Sequence, residues 1–214
     1  MRLDHVSYVA SHDQISDVVN RIGSQIGTAF VDGGIHPKFG TRNFTAPLLN
    51  GQYIEIVCPL DHPATDATPF GRAVKIKAND GGGWLSWIIS TKDLTPVETE
   101  LGRKSVAGKR TKPNGNDLLW KQLGVLSVLE DASLPFYIEW LDGNHPSQDG
   151  KPLAKIKIIN VISEKTDFLN YPGVKQVLDN KDFELKWIKE SSVQYPKGIS
   201  SIEFEVGDNL VEIN

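Results

Sequence analysis

Residues 3–10 alternate apolar and polar side chains as a strand does. Ser11-His12-Asp13-Gln14 then has capping-box spacing, ahead of Ile15, Val18, Val19, Ile22 and Ile26 at helical intervals. Gly27 stands where that helix should stop. Residues 29–57 divide at Gly33-Gly34, Gly40 and Asn50-Gly51, which predicts three strands with a hairpin at the last break. Between Pro59 and Gly83 the prolines, small polar residues and triple glycine predict connection, with a short strand over 73–78. The pattern restarts at Trp84. Ser90 and Asp93 repeat the capping spacing, and Leu94, Val97 and Leu101 supply a helix face. Residues 109–116 are polar, 118–129 read as a strand, and 136–141 as a closing strand. A third start follows, with a strand over 156–162, Thr166 and Asp167 as caps of a helix over 168–178, and strands over 183–188 and 199–213 turning at Gly207-Asp208-Asn209.

The order strand, helix, three strands therefore occurs twice, and the two copies share sequence. Tyr53-Ile54-Glu55 returns as Tyr137-Ile138-Glu139, and HVSYVAS at His5–Ser11 answers WLSWIIS at Trp84–Ser90. A duplicated module packs against its twin, so Glu55 and Glu139 are expected to face one another across a shared cavity. The competing reading puts both glutamates on the solvent side of alternating strands. The predicted organisation is a first module at 1–58, a linker at 59–82, a second module at 83–142, and an incomplete third at 152–214 that covers a face or edge of the sheets.

Composition narrows the partners. The chain has 214 residues, 39% of them hydrophobic, enough for a well-buried core. A net charge of −4 gives no electrostatic reason for nucleic acid or an anionic membrane as partner. The single cysteine, Cys58, excludes an internal disulfide and a cysteine-based zinc cluster. No run approaches the roughly 20 apolar residues of a membrane span, and the polar first residues lack a signal peptide's apolar segment. A soluble, cytoplasmic protein acting on a small molecule is expected, and a homodimer is compatible with it.

The twice-repeated order resembles the vicinal-oxygen-chelate superfamily, the glyoxalase and bleomycin-resistance fold. Asp4-His5, Gly33-Gly34, His36, Gly40-Thr41, Asn43 and Tyr53-Ile54-Glu55 resemble its glyoxalase-like domain family more closely. The resemblance implies an α+β fold of paired βαβββ modules forming a curved-sheet bowl, with a partial βαββ-like module at the C-terminus. It also implies a divalent metal on the bowl floor, with His5, Glu55 and Glu139 as ligands and the fourth place falling on Trp84, which cannot ligate. One His and two Glu suit Mn, Fe or Mg better than a closed tetrahedral Zn site. Glu139 is then the candidate base and Glu55 a ligand, with the roles exchangeable. His36, framed by glycines, is expected to hydrogen-bond a substrate oxygen or shuttle a proton, with Gly40-Thr41 and Asn43 shaping the turn beside it. In the metal-free alternative, Trp84, Trp140, Tyr53 and Tyr137 line an apolar bowl. His62 and His145, each before proline, read as turn residues, and His12 as exposed. Two functions follow: a metal-dependent lyase, isomerase or dioxygenase-type enzyme on a small oxygenated molecule, or a metal-free protein that binds or sequesters one.

Overall fold

β1 (Arg2–Val9) has the polar residues His5 and Ser7 on the same face as Val9, while Val6 and Tyr8 point the other way. This alternation organises the computed structural model, which describes residues 1–112, 115–163, 169–189 and 197–214. After β1 come α1 (Ile15–Ile26), β2 (Val31–His36), β3 (Thr41–Pro47) and β4 (Tyr53–Pro59). α1 ends on Gly27 in the left-handed region, as its sequence predicts, but it starts without a side-chain cap. The Ser11 hydroxyl donates to the Gln14 side chain at 3.0 Å and accepts from no backbone N–H of the helix, so the expected capping box does not form. β3 and β4 pair antiparallel across a turn at Leu49–Gly51, with Asn50 at φ 62°.

The stretch expected to be connection is helical. α2 (Pro63–Ala67) and α3 (Pro69–Asn79) each carry proline in the first turn, where a missing N–H breaks no hydrogen bond. The side chains of His62 and Thr68 accept from the N–H groups of Ala64 and Gly71 and cap the two helices. Residues 73–78 thus lie in α3, not in a strand, because Phe70, Ala73 and Val74 form a buried helical face.

The second half runs through β5 (Gly83–Ser90), α4 (Thr95–Leu101), β6 (Val106–Thr111), β7 (Asp117–Leu123), α5 (Val125–Glu130) and β8 (Phe136–Trp140). The single strand expected over 118–129 breaks at Gly124, φ 97°, into β7 and α5. The eight strands close into a barrel in the order β1-β4-β3-β2-β6-β7-β8-β5. β1 pairs parallel with β4 and antiparallel with β5, β5 pairs parallel with β8, and β2 meets β6.

β9 (Ala154–Ile162), α6 (Val174–Asp179), β10 (Glu184–Ile188), β11 (Gly198–Val206) and β12 (Asn209–Ile213) follow, and their strands form a separate sheet of order β10-β9-β11-β12. The expected caps Thr166 and Asp167, and Phe168, lie outside the described residues. β11 packs on β5, and Val6, Ile54, Trp87, Ile159 and Phe204 share one core between the barrel's outer face, α1 and the second sheet. A second core fills the barrel, where Val9, Val57, Ile88 and Ile138 meet Phe70 and Val74 of α3. No helix among the described residues is long and apolar enough to cross a membrane.

Candidate functional site inside the barrel

The parallel register of β1 and β4 sets His5 beside Tyr53 and Ser7 beside Glu55, all facing the interior. The His5 ring stacks on Tyr53 at 4.2 Å between centroids. The Ser7 hydroxyl donates to one oxygen of Glu55 at 2.6 Å, and the Asn43 amide donates to the other at 2.7 Å. Arg110, from β6, donates through Nη1 to Asn43 Oδ1 at 2.8 Å. Gly33 makes that last contact feasible, since a Cβ there would collide with both Arg110 Nη1 and Asn43 Oδ1. A narrow cavity of about 30 Å³ lies among His5, His36, Glu55, Arg110, Trp120 and Phe136, room for a water molecule or two.

Burial alone would raise the Glu55 pKa, but electrostatic attraction to the neighbouring imidazoles of His5 and His36 and the hydrogen bonds from Ser7 and Asn43 outweigh it and hold the group below its ordinary value. Glu55 is ionised at neutral pH. His36 is buried against Phe39, Phe70 and Trp120, with Nδ1 3.0 Å from the Thr41 hydroxyl. Burial pushes its pKa down to about 4, so it is neutral where Glu55 is charged. Burial also pushes the Tyr53 phenol well above its usual value, which keeps it protonated.

Behind His5 lies a fully buried carboxylate. Asp4 Oδ1 sits 2.9 Å from His5 Nδ1, and its Oδ2 sits 3.1 Å from His145 Nε2. Trp140 Nε1 and Arg2 Nη2 also donate to Asp4, at 3.3 and 3.2 Å. Burial would raise the Asp4 pKa, yet hydrogen bonds from His145 and His5, and their charges, hold it far below the usual range. An ionised carboxylate only accepts, so His5 carries a proton on Nδ1, and the Nε2-protonated neutral tautomer is excluded. His145 is fixed likewise, because its Nδ1 accepts from the Ser147 N–H at 3.2 Å and its Nε2–H is left for Asp4.

His5, His36, Asn43, Tyr53 and Glu55 are thus brought together, and Glu139, Tyr137 and Trp84 are not. Glu55 is the third residue of β4, whereas Glu139 is the fourth of β8, and one position along a strand reverses the face. Ile138 and Trp140 line the cavity, while Glu139 points outward to accept from Lys121 Nζ at 3.1 Å and from the Leu94 N–H at 3.0 Å, beside the start of α4. Tyr137 shares the outer face and donates to Pro172 O at 2.6 Å. Trp84 is second in β5 where His5 is fourth in β1, and its indole donates to Ile213 O at 2.8 Å, tying the barrel to the second sheet.

The expected metal ligands therefore do not assemble. Among the described residues no group of three or more His, Cys, Asp or Glu is placed to hold a metal ion. Both Glu55 oxygens already accept hydrogen bonds, and the Arg110 cation on the same cavity wall opposes a second cation. These donors do not fit a divalent metal. Sequence reasoning gave no site role to Asp4, Ser7, Arg110 or His145, although Asp4 stands in the run that carries the family resemblance and His145 was read as a turn residue. Arg110 was legible in principle, since it alternates with Gly108 on the buried face of β6; His145 is joined to Asp4 only by the fold.

The sequence matches the family model described as glyoxalase-like domain over residues 3–171. No curated protein matches. Among solved structures, a hypothetical protein from Staphylococcus aureus is 16% identical with a TM-score of 0.56, over 99% of this chain and 84% of that one. Methylmalonyl-CoA epimerase from Mycobacterium tuberculosis is 15% identical with a TM-score of 0.43, over 64% and 87%. A variant of the Streptomyces coelicolor epimerase, in complex with 2-nitronate-propionyl-CoA, is 13% identical with a TM-score of 0.41, over 66% and 99%.

Proposed function

This chain belongs to the glyoxalase-like domain family of the vicinal-oxygen-chelate superfamily, and we propose that its barrel interior moves a proton on a small oxygenated molecule without a divalent metal. The observation that carries this reading is the buried Asp4–His5 pair, which with the ring neutral presents an imidazole lone pair to a cavity that also holds Glu55, His36 and Arg110. His5 Nε2 takes a proton from a C–H beside a substrate carbonyl, and the electron pair left on carbon delocalises onto the carbonyl oxygen. His36, neutral and with the Thr41 hydroxyl donating to Nδ1, offers Nε2–H to that oxygen. Asp4 stays ionised throughout and stabilises the imidazolium, and Glu55 adds a second negative charge near His5. Returning the proton at the same or a neighbouring carbon completes an isomerase reaction; loss of a leaving group instead makes a lyase. On this reading residues 1–58 supply most of the polar wall and residues 83–142 most of the apolar one.

The test is solvent exchange. Small ketones, hydroxyketones and 2-oxo acids in D2O, followed by proton NMR, should include a compound whose C–H exchanges with the protein present. His5→Gln should slow that exchange by about 10² to 10⁴, the usual contribution of a general base, and Asp4→Asn should slow it through the wrong tautomer. Treatment with EDTA should change nothing. Exchange lost to EDTA and restored by Mn, Fe, Mg or Zn would overturn the metal-free site. A second reading, binding without chemistry, is favoured by the saturation of Glu55 with hydrogen bonds, and saturable binding with no exchange in any compound would select it.

A further inference from the structure

Among the described residues that line the cavity, Arg110 alone has a fully buried side-chain N–H group that meets no acceptor. It is 2% exposed, its Nη1 is engaged by Asn43, and its Nη2 is buried with no partner. Among the described residues no carboxylate forms an ion pair with it. Glu55 balances the charge at one remove, across the Asn43 amide. A buried guanidinium is costly to keep away from water, and a buried N–H without an acceptor adds to that cost. Gly33, which leaves space a side chain would fill, serves to keep this cation in place against Asn43.

We propose that Arg110 receives the carboxylate of the molecule that enters the barrel, so that the ligand class is small carboxylic acids. A neutral carbonyl would satisfy the free N–H but not the charge. A phosphate brings more negative charge than the single guanidinium balances, against the Glu55 carboxylate on the same wall. A planar carboxylate matches the guanidinium fork in charge and shape, and Arg110 lines the same cavity as His5 and His36. The inference rests on the cavity being the ligand site, as proposed above, but not on any proton being moved there.

Binding is measured by titrating acetate, glycolate, lactate and pyruvate, each against its neutral amide, into protein carrying ¹⁵N-labelled arginine. At least one acid should saturate and shift a single buried guanidinium resonance, and its amide should bind tenfold or more weakly. Arg110→Lys keeps a charge but loses the planar fork that can hold Asn43 and a carboxylate together, and should lose about the same factor. Should that variant not fold, the resonance shift in the unaltered protein decides alone. Amides binding as well as acids, no acid binding saturably, or a folded Arg110→Lys variant binding undiminished would each overturn the proposal. A carboxylate that binds but does not exchange its C–H would sink the proton-transfer reading and leave this one standing; exchange confined to uncharged ketones would do the reverse.

Discussion

Burial sets the protonation of His36, and it does so at a cost that depends on pH. Its pKa falls from 6.5 to about 4 on folding, so as the medium is acidified the unfolded chain takes up this proton first. The stability tied to the neutral ring is whole above pH 6.5 and is lost as pH falls toward 4, a loss on the order of 3 kcal/mol. Glu55 and Asp4, both held below their ordinary values, add further losses below about 4.5 and 3.8. Urea unfolding as a function of pH should show the first loss in the unaltered protein and a flatter curve in that window for His36→Gln. An unchanged slope would mean His36 is not held neutral. At this scale the sequence was a partial guide. The run from Asp4 to Glu55 carried His5, His36, Asn43, Tyr53 and Glu55 into one cavity, because period-2 strands turn alternate residues the same way. The alternation in β6 could place Arg110 on a buried face, but its bond to Asn43 and that of His145 to Asp4 were not legible, since each forms only through tertiary pairing.

A strand's parity decides what its residues do, and β8 shows it. Tyr137-Ile138-Glu139 copies Tyr53-Ile54-Glu55 in letters, yet it enters its strand one place later and so turns inside out. Ile138 and Trp140 wall the cavity, while Glu139 ties β8 to Lys121 on β7 and to the backbone before α4. Glu139→Gln should therefore cost no more than about 1 kcal/mol, the worth of a partly exposed ion pair, and leave ligand binding intact. Glu55→Gln, which turns one charged acceptor of the Ser7 and Asn43 bonds into a donor, should impair binding. Equal effects of the two would contradict the face assignment. The same scale explains the misread linker: Pro63 and Pro69 look like breakers in a list of residues, but at the first turn of a helix they are starters. Only the hydrophobic spacing of Phe70, Ala73 and Val74 tells the two apart, and it is too short a run to decide against two prolines and three glycines.

Across the whole molecule, the order of elements was legible because each strand and helix is coded locally, whereas barrel closure and the second sheet depend on pairings between distant residues. Trp84 illustrates the gap: nothing near it in sequence says that its indole will meet Ile213 O at the far end of the chain. Trp84→Phe keeps most of the packing against Tyr8 and Phe204 and removes this bond, so it should lower stability by about 1 kcal/mol, read from chemical unfolding, without altering the cavity.

The contact between Asp4 and His145 joins residues 141 apart in the chain, and this bears on the time course of folding. Hairpins such as β3 and β4 can form within microseconds, but a pairing over so long a loop waits for the chain between to be ordered. The charged centre is then the last part of the barrel to be completed. Trp140, whose indole donates to Asp4, is a natural reporter of that event. In refolding from urea, strand circular dichroism should recover ahead of the Trp140-dependent fluorescence change, assigned with Trp140→Phe. The protein should pass through a sheet-rich stage with an unfinished pocket before any ligand can bind.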